Sequence, residues 1–260
     1  MDDDRGVDPT GCGHLVIAPG SLRGWRLIGL VCFALVPSLI VAGGASTHPA
    51  GATLSNSAED LFAVLTLPIV TMVIVLVLAV AQFRNEIDNE TLLYLSDRSI
   101  TRPMIVVGKY LGSLAAALVL VVPAALVPLS IAVLGGGPMY PIEVPVTLAE
   151  AAVLAAVAYS GFFLFLGLVS RAALLIGLLY GFLWEELVLL LPGSAPRLTL
   201  VFYLRNFLSS ELPSGPLAGF PAPLTPAGAA LVLVGVAVAF VVMGSTAFRY
   251  LETAPERESV

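Results

Sequence analysis

The chain has 260 residues, of which 58% are hydrophobic and only 12% are charged, and its formal net charge is −6. A soluble domain carries about 25% charged residues, so this composition excludes a soluble protein and indicates an integral membrane protein. No basic stretch suggests nucleic-acid binding, and the two cysteines, Cys12 and Cys32, fit neither a disulfide framework nor a zinc site.

The first 19 residues precede the apolar part of the chain. They read "MDDDRGVDPTGCGHLVIAP", which is acidic at its start and contains glycine and proline. A secretory signal needs a basic start that is directly followed by an apolar core, so we expect residues 1–19 to form a flexible, acidic cytoplasmic tail. Both histidines, His14 and His48, lie outside the apolar stretches. Histidine-based chemistry inside the membrane is therefore excluded. We expect no catalytic residue, no metal site and no enzymatic activity in this chain.

Six apolar stretches are long enough to cross a bilayer, which takes about 20 helical residues. No alternation typical of β-strands competes with them, so the sequence predicts an all-α membrane protein. We expect one transmembrane domain over residues 20–250, followed by a cytoplasmic tail over 251–260. The predicted spans lie near 25–43, 60–83, 104–135, 146–169, 172–191 and 226–248.

The basic residues predict the orientation of the chain. If the N-terminus is cytoplasmic, ten of the twelve basic residues lie on the cytoplasmic side, and only Arg197 and Arg205 lie outside. Cytoplasmic loops of membrane proteins carry an excess of lysine and arginine. We therefore expect a multi-pass protein of the cytoplasmic (inner) membrane with both termini in the cytoplasm.

Residues 84–103, between the second and third spans, are unusually charged. Together with Lys109, these residues include eight of the chain's thirty charged residues, and residues 84–110 read "RNEIDNETLLYLSDRSITRPMIVVGKY". Ile87, Thr91 and either Tyr94 or Leu95 recur at helical spacing, and neighbouring leucines widen the apolar side, which predicts a short amphipathic helix. A solvated connecting loop is the alternative. A merely connecting loop has no need of a leucine cluster, which would be exposed without lipid or a partner, so we favour a docking element.

This segment resembles the one that follows the second span in permease subunits of type-2 ATP-binding-cassette exporters. Two positions depart from the family pattern: Glu90 stands where the family has glycine, and Ser99 where it has proline. "SLRGWRLIGLVCFALVPSLI" and "ALLIGLLYGFLWEELVLLLPG" are similar to the family's first and fifth spans, so the resemblance extends over residues 20–250. The matching residues of the middle segment are Glu86, Thr91, Leu92, Leu95, Ser96, Arg98, Arg102, Gly108, Lys109 and Tyr110.

The resemblance implies that residues 84–103 form a coupling helix, which inserts into a groove of a separate ATPase subunit. It also implies a second permease chain, identical or related, and a dimer embedded in the lipid bilayer. The chain has no glycine-rich phosphate loop, so we expect it to bind no cofactor and the partner to bind ATP and magnesium. The implied ATPase-coupling residues are Glu86, Asp88, Glu90, Thr91, Leu92, Leu95, Arg98, Arg102 and Lys109.

Glu185 and Glu186 lie in the predicted fifth span, where a charge at mid-bilayer costs about 2.5–3.5 kcal/mol. One interpretation is that either glutamate, with Tyr180 of the same pattern, lines the translocation path or a subunit interface. The other is that the glutamates cap the outer end of the span, reaching the head groups or pairing with Arg197. Adjacent helical residues point about 100° apart, so the two cannot both face one path, and both interpretations stay open.

Two further features concern packing. Gly108 and Gly112 form a GxxxG pattern, which predicts close helix packing within the chain or, as the second choice, a dimer face. The outer segment 192–225 contains "LTLVFYLRNFLSS", which predicts either a re-entrant or surface helix over the pathway or an interfacial anchor.

Three functions are compatible with the sequence. The first is the permease subunit of an ATP-binding-cassette exporter, which moves a substrate across the membrane with ATP hydrolysed by its partner. The second is a non-transporting membrane anchor or assembly protein that binds a cytoplasmic partner. The third is an ion-coupled secondary transporter with Glu185 or Glu186 as proton carrier, which we rank last because inverted repeats with broken helices are not visible.

Overall fold

The computed structural model describes residues 21–47, 58–87, 102–189, 191, 193–213, 217 and 219–252. Over these ranges the chain forms helices joined by turns and contains no β-strand. The predicted all-α class is therefore confirmed for the part of the chain that the structure describes.

The first apolar stretch is divided into helices α1 (Ser21–Ala34) and α2 (Val36–Thr47), with a turn at Leu35 between them. Pro37 follows this turn and has no N–H, so it cannot bond to the carbonyl of Phe33, as a continuous helix would require. The N–H of Leu39 still donates to the carbonyl of Leu35 at 3.0 Å. The chain therefore resumes helical bonding directly after the break.

The second stretch starts with a helical turn over 58–61 and continues as a π-helical segment, π1 (Phe62–Val70), into α3 (Thr71–Ile87). Pro68 lies inside π1 and lacks a donor. The carbonyl of Thr66 accepts from both the N–H and the hydroxyl of Thr71, five residues later, with the hydroxyl bond at 2.9 Å. This i→i+5 pattern is the wide turn that defines a π-helix.

The long helices that follow are α4 (Arg102–Leu134), α5 (Glu143–Val169) and, at the end, α9 (Pro226–Glu252). Five stretches of the chain are long and apolar enough to cross a membrane, which makes this a multi-pass membrane protein by length and composition. They coincide with five of the six predicted spans. They are Leu27–Gly44, Ala58–Gln82, Met104–Leu134, Glu143–Val169 and Pro226–Ala247.

The predicted fifth span, near 172–191, consists of three consecutive helical pieces. They are α6 (Ala173–Leu179), a second π-helical segment π2 (Tyr180–Glu185) and α7 (Glu186–Leu189). Together the three pieces, of 7, 6 and 4 residues, cover 17 residues, or about 25 Å at 1.5 Å per residue. A sixth crossing at this place, and with it the cytoplasmic location of both termini, stays a prediction.

Helix α5 lies at the centre of the bundle and contacts α3, α4 and α9. Its neighbours approach closely at glycines. A Cβ added to Gly161 would lie 2.9 Å from the Cα of Ala237 on α9, and one added to Gly167 would lie 3.1 Å from the Cα of Val80 on α3. Small residues allow helix backbones to approach closely in a membrane. Five alanines of α5 are also fully buried: Ala151, Ala152, Ala155, Ala156 and Ala158.

The GxxxG glycines of α4 behave differently. Gly108 and Gly112 are exposed, and among the described residues nothing lies within 4 Å of a Cβ added to either one. The close packing within the chain that the pattern predicts is therefore wrong for the described part of the protein. Because no described helix covers this face of α4, lipid or a second chain has room to contact it.

The outer segment contains a 3-10 turn (Ala195–Leu198) and helix α8 (Leu200–Glu211), which confirms that it is helical. Helix α8 packs against α5 and α9, and most of its side chains are buried. It is thus part of the bundle core, which does not fit a helix that only anchors the chain at the membrane surface.

We expect Gly161→Ala to destabilise the bundle, because the new methyl group would overlap backbone atoms of Ala237 that cannot rotate away. Overpacking costs about 1–3 kcal/mol, which predicts a melting temperature in detergent lower by at least about 2 °C. Gly235→Ala on α9 is the matched control, because no described atom lies within 4 Å of its added Cβ. Equal melting temperatures for the two variants would contradict the close packing of α5 on α9.

Candidate functional site

Most of the predicted ATPase-coupling residues lie outside the described residues. Glu86 is in the last turn of α3 and Arg102 is the first residue of α4, and only their backbone is described. The coupling helix therefore stays a prediction. The residues outside the described ranges are Asp88, Glu90, Thr91, Leu92, Leu95 and Arg98.

Lys109 is the one predicted coupling residue whose side chain is described. Its ammonium group donates a hydrogen bond to the backbone carbonyl of Gln82 at 2.7 Å. Gln82 lies on α3 and Lys109 on α4, which are the two helices on either side of residues 88–101. The bond therefore joins these helices close to the segment that connects them.

The second group of predicted residues forms a polar cluster at the other end of the bundle. Glu185 is buried, with 1% of its surface exposed. Its carboxylate accepts hydrogen bonds from the hydroxyl of Tyr180, from the N–H of Leu200 at 3.2 Å and from the N–H of Val201 at 2.8 Å. Three donors thus surround a carboxylate that would be costly to bury alone.

The two backbone donors are the first N–H groups of α8, which have no partner inside their own helix. Thr199 precedes the helix in an extended conformation, and its hydroxyl accepts from the N–H of Phe202 at 3.3 Å. Glu185 and Thr199 together therefore satisfy three of the four free N–H groups. A carboxylate is also favoured there by the positive end of the helix dipole. Glu185 caps the start of α8, and this capping is a structural role.

The wide turn of π2 explains how Tyr180 reaches Glu185. In an α-helix, side chains five residues apart point about 140° away from each other. A π turn closes its bonds over five residues and brings the two onto one face. The Tyr180 ring is held by Phe162, at a centroid distance of 4.4 Å, and by Phe163 at 6.5 Å.

Glu186 points to a different partner. Its Oε2 lies 3.4 Å from Nη2 of Arg205 on α8, with side-chain exposures of 36% and 19%. The predicted pairing with Arg197 is therefore wrong, since the pair forms with the next basic residue along the chain. A partly exposed pair contributes only about 0–1 kcal/mol to stability. Oε1 of Glu186 and Nε of Arg205 are buried and have no hydrogen-bond partner among the described residues.

A cavity of about 780 Å³ lies beside this ion pair. Its charged lining is Glu186, Arg197 and Arg205, and its apolar lining includes Leu189, Phe202 and Phe220. This volume is within the range of about 300–1,000 Å³ that is typical of small-molecule sites.

The loop that precedes α9 forms one wall of the cavity, and the buried side-chain amide of Asn206 holds this loop against α8. Asn206, with no exposed surface, accepts from the N–H of Leu224 at 3.2 Å and donates to its carbonyl at 2.9 Å. The hydroxyl of Ser209 donates to the carbonyl of Phe220 at 3.3 Å. The cavity is therefore built from α7, the 3-10 turn that carries Arg197, α8 and a loop that hydrogen bonds hold against α8.

Over the described ranges, no group of three or more histidine, cysteine, aspartate or glutamate residues is placed to hold a metal ion. Comparison of the chain with protein-family models, with curated proteins and with solved structures finds no match.

Sequence reasoning singled out Tyr180, Glu185 and Glu186 but missed their partners on α8. A signal for the start of α8 exists, because Thr199 stands before the apolar run "LVFYL" as an N-cap residue does. Nothing in the sequence marks Asn206 as the residue that holds the loop, since asparagine side chains are mostly exposed.

We expect Glu185→Ala to lower stability, because it leaves two N–H groups of α8 and the Tyr180 hydroxyl without their acceptor. Each buried unsatisfied donor costs about 1–3 kcal/mol. Glu185→Gln keeps one acceptor oxygen, so its melting temperature in detergent should lie between those of Glu185→Ala and the wild type. Glu211→Ala, at the exposed end of α8, is the control and should melt like the wild type. A wild-type melting temperature for Glu185→Ala would rule out the capping role.

Proposed function

We propose that this chain is the membrane-spanning subunit of an ATP-binding-cassette exporter, driven by a separate ATPase subunit. The observation that carries the proposal is the bond between Lys109 and Gln82, which ties together the helices flanking a charged, leucine-containing segment. The resemblance of that segment to a coupling helix supports the same function. In this proposal residues 88–101 face the cytoplasm, the chain crosses the membrane six times, and ATP and magnesium bind to the partner.

A tied pair of helices is suited to receive force. Hydrogen bonds from an ammonium group are roughly twice as strong as those between neutral groups, so α3 and α4 would resist separation at Lys109. A push on residues 88–101 would therefore act on both helices. Both of them contact the central helix α5, so their displacement would move the centre of the bundle.

Helix α3 also contacts the piece that carries Glu185. A Cβ added to Gly177 or Gly181 would overlap the side chains of Leu76 and Met72 on α3, so the two elements are in direct contact. Since π2 ends at Glu185, which caps α8, we propose that movement of α3 reaches the outer end of the bundle by this route. This route consists of side chains in contact, and the strength of the coupling between its two ends has to be measured.

The membrane path is proposed to lie between two copies of the chain, or between this chain and a related one. The exposed face of α4 around Gly108 and Gly112 is open to such a second chain. In this proposal Glu185 is a structural cap, whereas Glu186 remains available to the pathway because its side chain is 36% exposed.

We expect Leu92→Ala with Leu95→Ala to reduce the amount of ATPase subunit that co-purifies from native membranes. Buried apolar anchors dominate interface energies, and a loss of about 1.4 kcal/mol corresponds to a tenfold weaker affinity, which lowers the recovery. Quantitative mass spectrometry of the tagged complex gives the ratio of the two subunits. Leu174→Ala with Leu175→Ala is the matched control, because these exposed leucines of α6 lie outside the segment.

The same preparation distinguishes the three functions. A complex of wild-type chain that never contains an ATP-hydrolysing subunit would contradict the exporter proposal. A different cytoplasmic partner, lost in the Leu92 and Leu95 variant, would favour the membrane anchor. Activity in reconstituted vesicles that needs an ion gradient and no ATP would favour the secondary transporter.

A further inference from the structure

We propose that the cavity beside Glu186 and Arg205 binds the head group of an anionic amphipathic molecule, namely a phosphate or carboxylate with an attached apolar chain. The proposal depends on this cavity alone. It holds or fails whether or not an ATPase subunit binds the chain.

The charge of the lining favours an anion. Two guanidinium groups, Arg197 and Arg205, face one carboxylate, Glu186, so the lining carries one excess positive charge. The side chain of Arg197 is exposed and forms no hydrogen bond or ion pair with any described residue. Arginine presents a planar set of donors that matches carboxylate and phosphate oxygens, so Arg197 is suited to hold the anionic group.

The remaining lining suits the apolar part of the molecule. Leu189, Phe202 and Phe220 line the cavity, and their side chains offer no hydrogen bond to a head group. Leu191 also lines the cavity and is 49% exposed, so the apolar lining continues to the surface of the bundle. An acyl chain can therefore leave the cavity along apolar side chains while its head group stays at the arginines.

The site is largely formed before a ligand arrives. Glu185 fixes the start of α8, which carries Phe202 and Arg205, and Asn206 fastens the opposite loop to the same helix. Binding to a preformed site loses less conformational entropy than binding to one that must first become ordered.

The test uses the full-length chain, delipidated in detergent, with any subunit that co-purifies left bound. Native mass spectrometry measures its binding of phosphatidylglycerol and of phosphatidylcholine, and calorimetry measures its binding of dodecanoate. We expect phosphatidylglycerol or dodecanoate to bind at least about tenfold more tightly than phosphatidylcholine, which carries no net charge. Selective phosphatidylglycerol binding would identify a bilayer lipid as the source of the anion, and selective dodecanoate binding would identify a free amphipath.

Two variants locate the binding. Arg197→Gln with Arg205→Gln should abolish the preference for the anion. Because loss of Arg205 removes the partner of Glu186 and can affect folding, Arg197→Gln alone is the decisive variant. It should weaken anion binding several-fold at an unchanged melting temperature. Arg171→Gln, in the turn between α5 and α6, is the matched control and should bind like the wild type.

Equal affinity for phosphatidylglycerol and phosphatidylcholine, together with no binding of dodecanoate, would overturn the proposal. Wild-type anion binding by Arg197→Gln would overturn it as well. Neither result bears on the exporter function, which fails separately if no ATPase subunit co-purifies.

Discussion

The end of the bundle that contains helix α8 depends on one buried carboxylate. Helix α8 lies inside the bundle, where water cannot satisfy the N–H groups at its start, and the carboxylate of Glu185 supplies the acceptor for two of them. With α8 fixed in this way, Arg205 and Phe202 hold defined positions, and the loop bound by Asn206 closes the cavity beside them. Glu185, whose charge is costly to bury in a membrane helix, therefore positions the helix that forms the neighbouring polar site.

The proposed functions use the two ends of the bundle differently. At one end, Lys109 ties α3 to α4 next to the segment that resembles a coupling helix. At the other end, α8 and its loop enclose a cavity with an excess positive charge. Helix α3 connects the two ends. Near one end its Gln82 carbonyl accepts a hydrogen bond from Lys109, and farther along it packs against Gly177 of α6 and Gly181 of π2, the segment that ends at Glu185. Force and ligand would thus act on the same set of packed helices.

The sequence was sufficient for the fold class, since long apolar runs can satisfy their backbone in lipid only as helices. It was not sufficient for the local geometry. The break at Leu35 was not predicted, although Pro37 is its cause, because proline is tolerated in many membrane helices. The pairing of Tyr180 with Glu185 was not predictable, because a five-residue spacing has meaning only in a π turn. Gly108 and Gly112 carry the pattern of a packed pair and are exposed, whereas Gly177 and Gly181, with the same spacing, are the pair that packs. Spacing alone cannot tell which neighbour a helix face will meet.

The length of α4 has a consequence for its place in the membrane. Its 33 residues extend about 50 Å, whereas the hydrocarbon layer is about 30 Å thick and membrane helices tilt by no more than about 40°. Even at that tilt the helix spans about 38 Å along the bilayer normal, so a turn or more must extend beyond the hydrocarbon layer into the head-group region. Lys109 lies about 10 Å from the first residue of the helix. Emergence at that end would put its ammonium group at the head-group level, where a cation is not penalised, and would leave the first two turns of α4 accessible from the water.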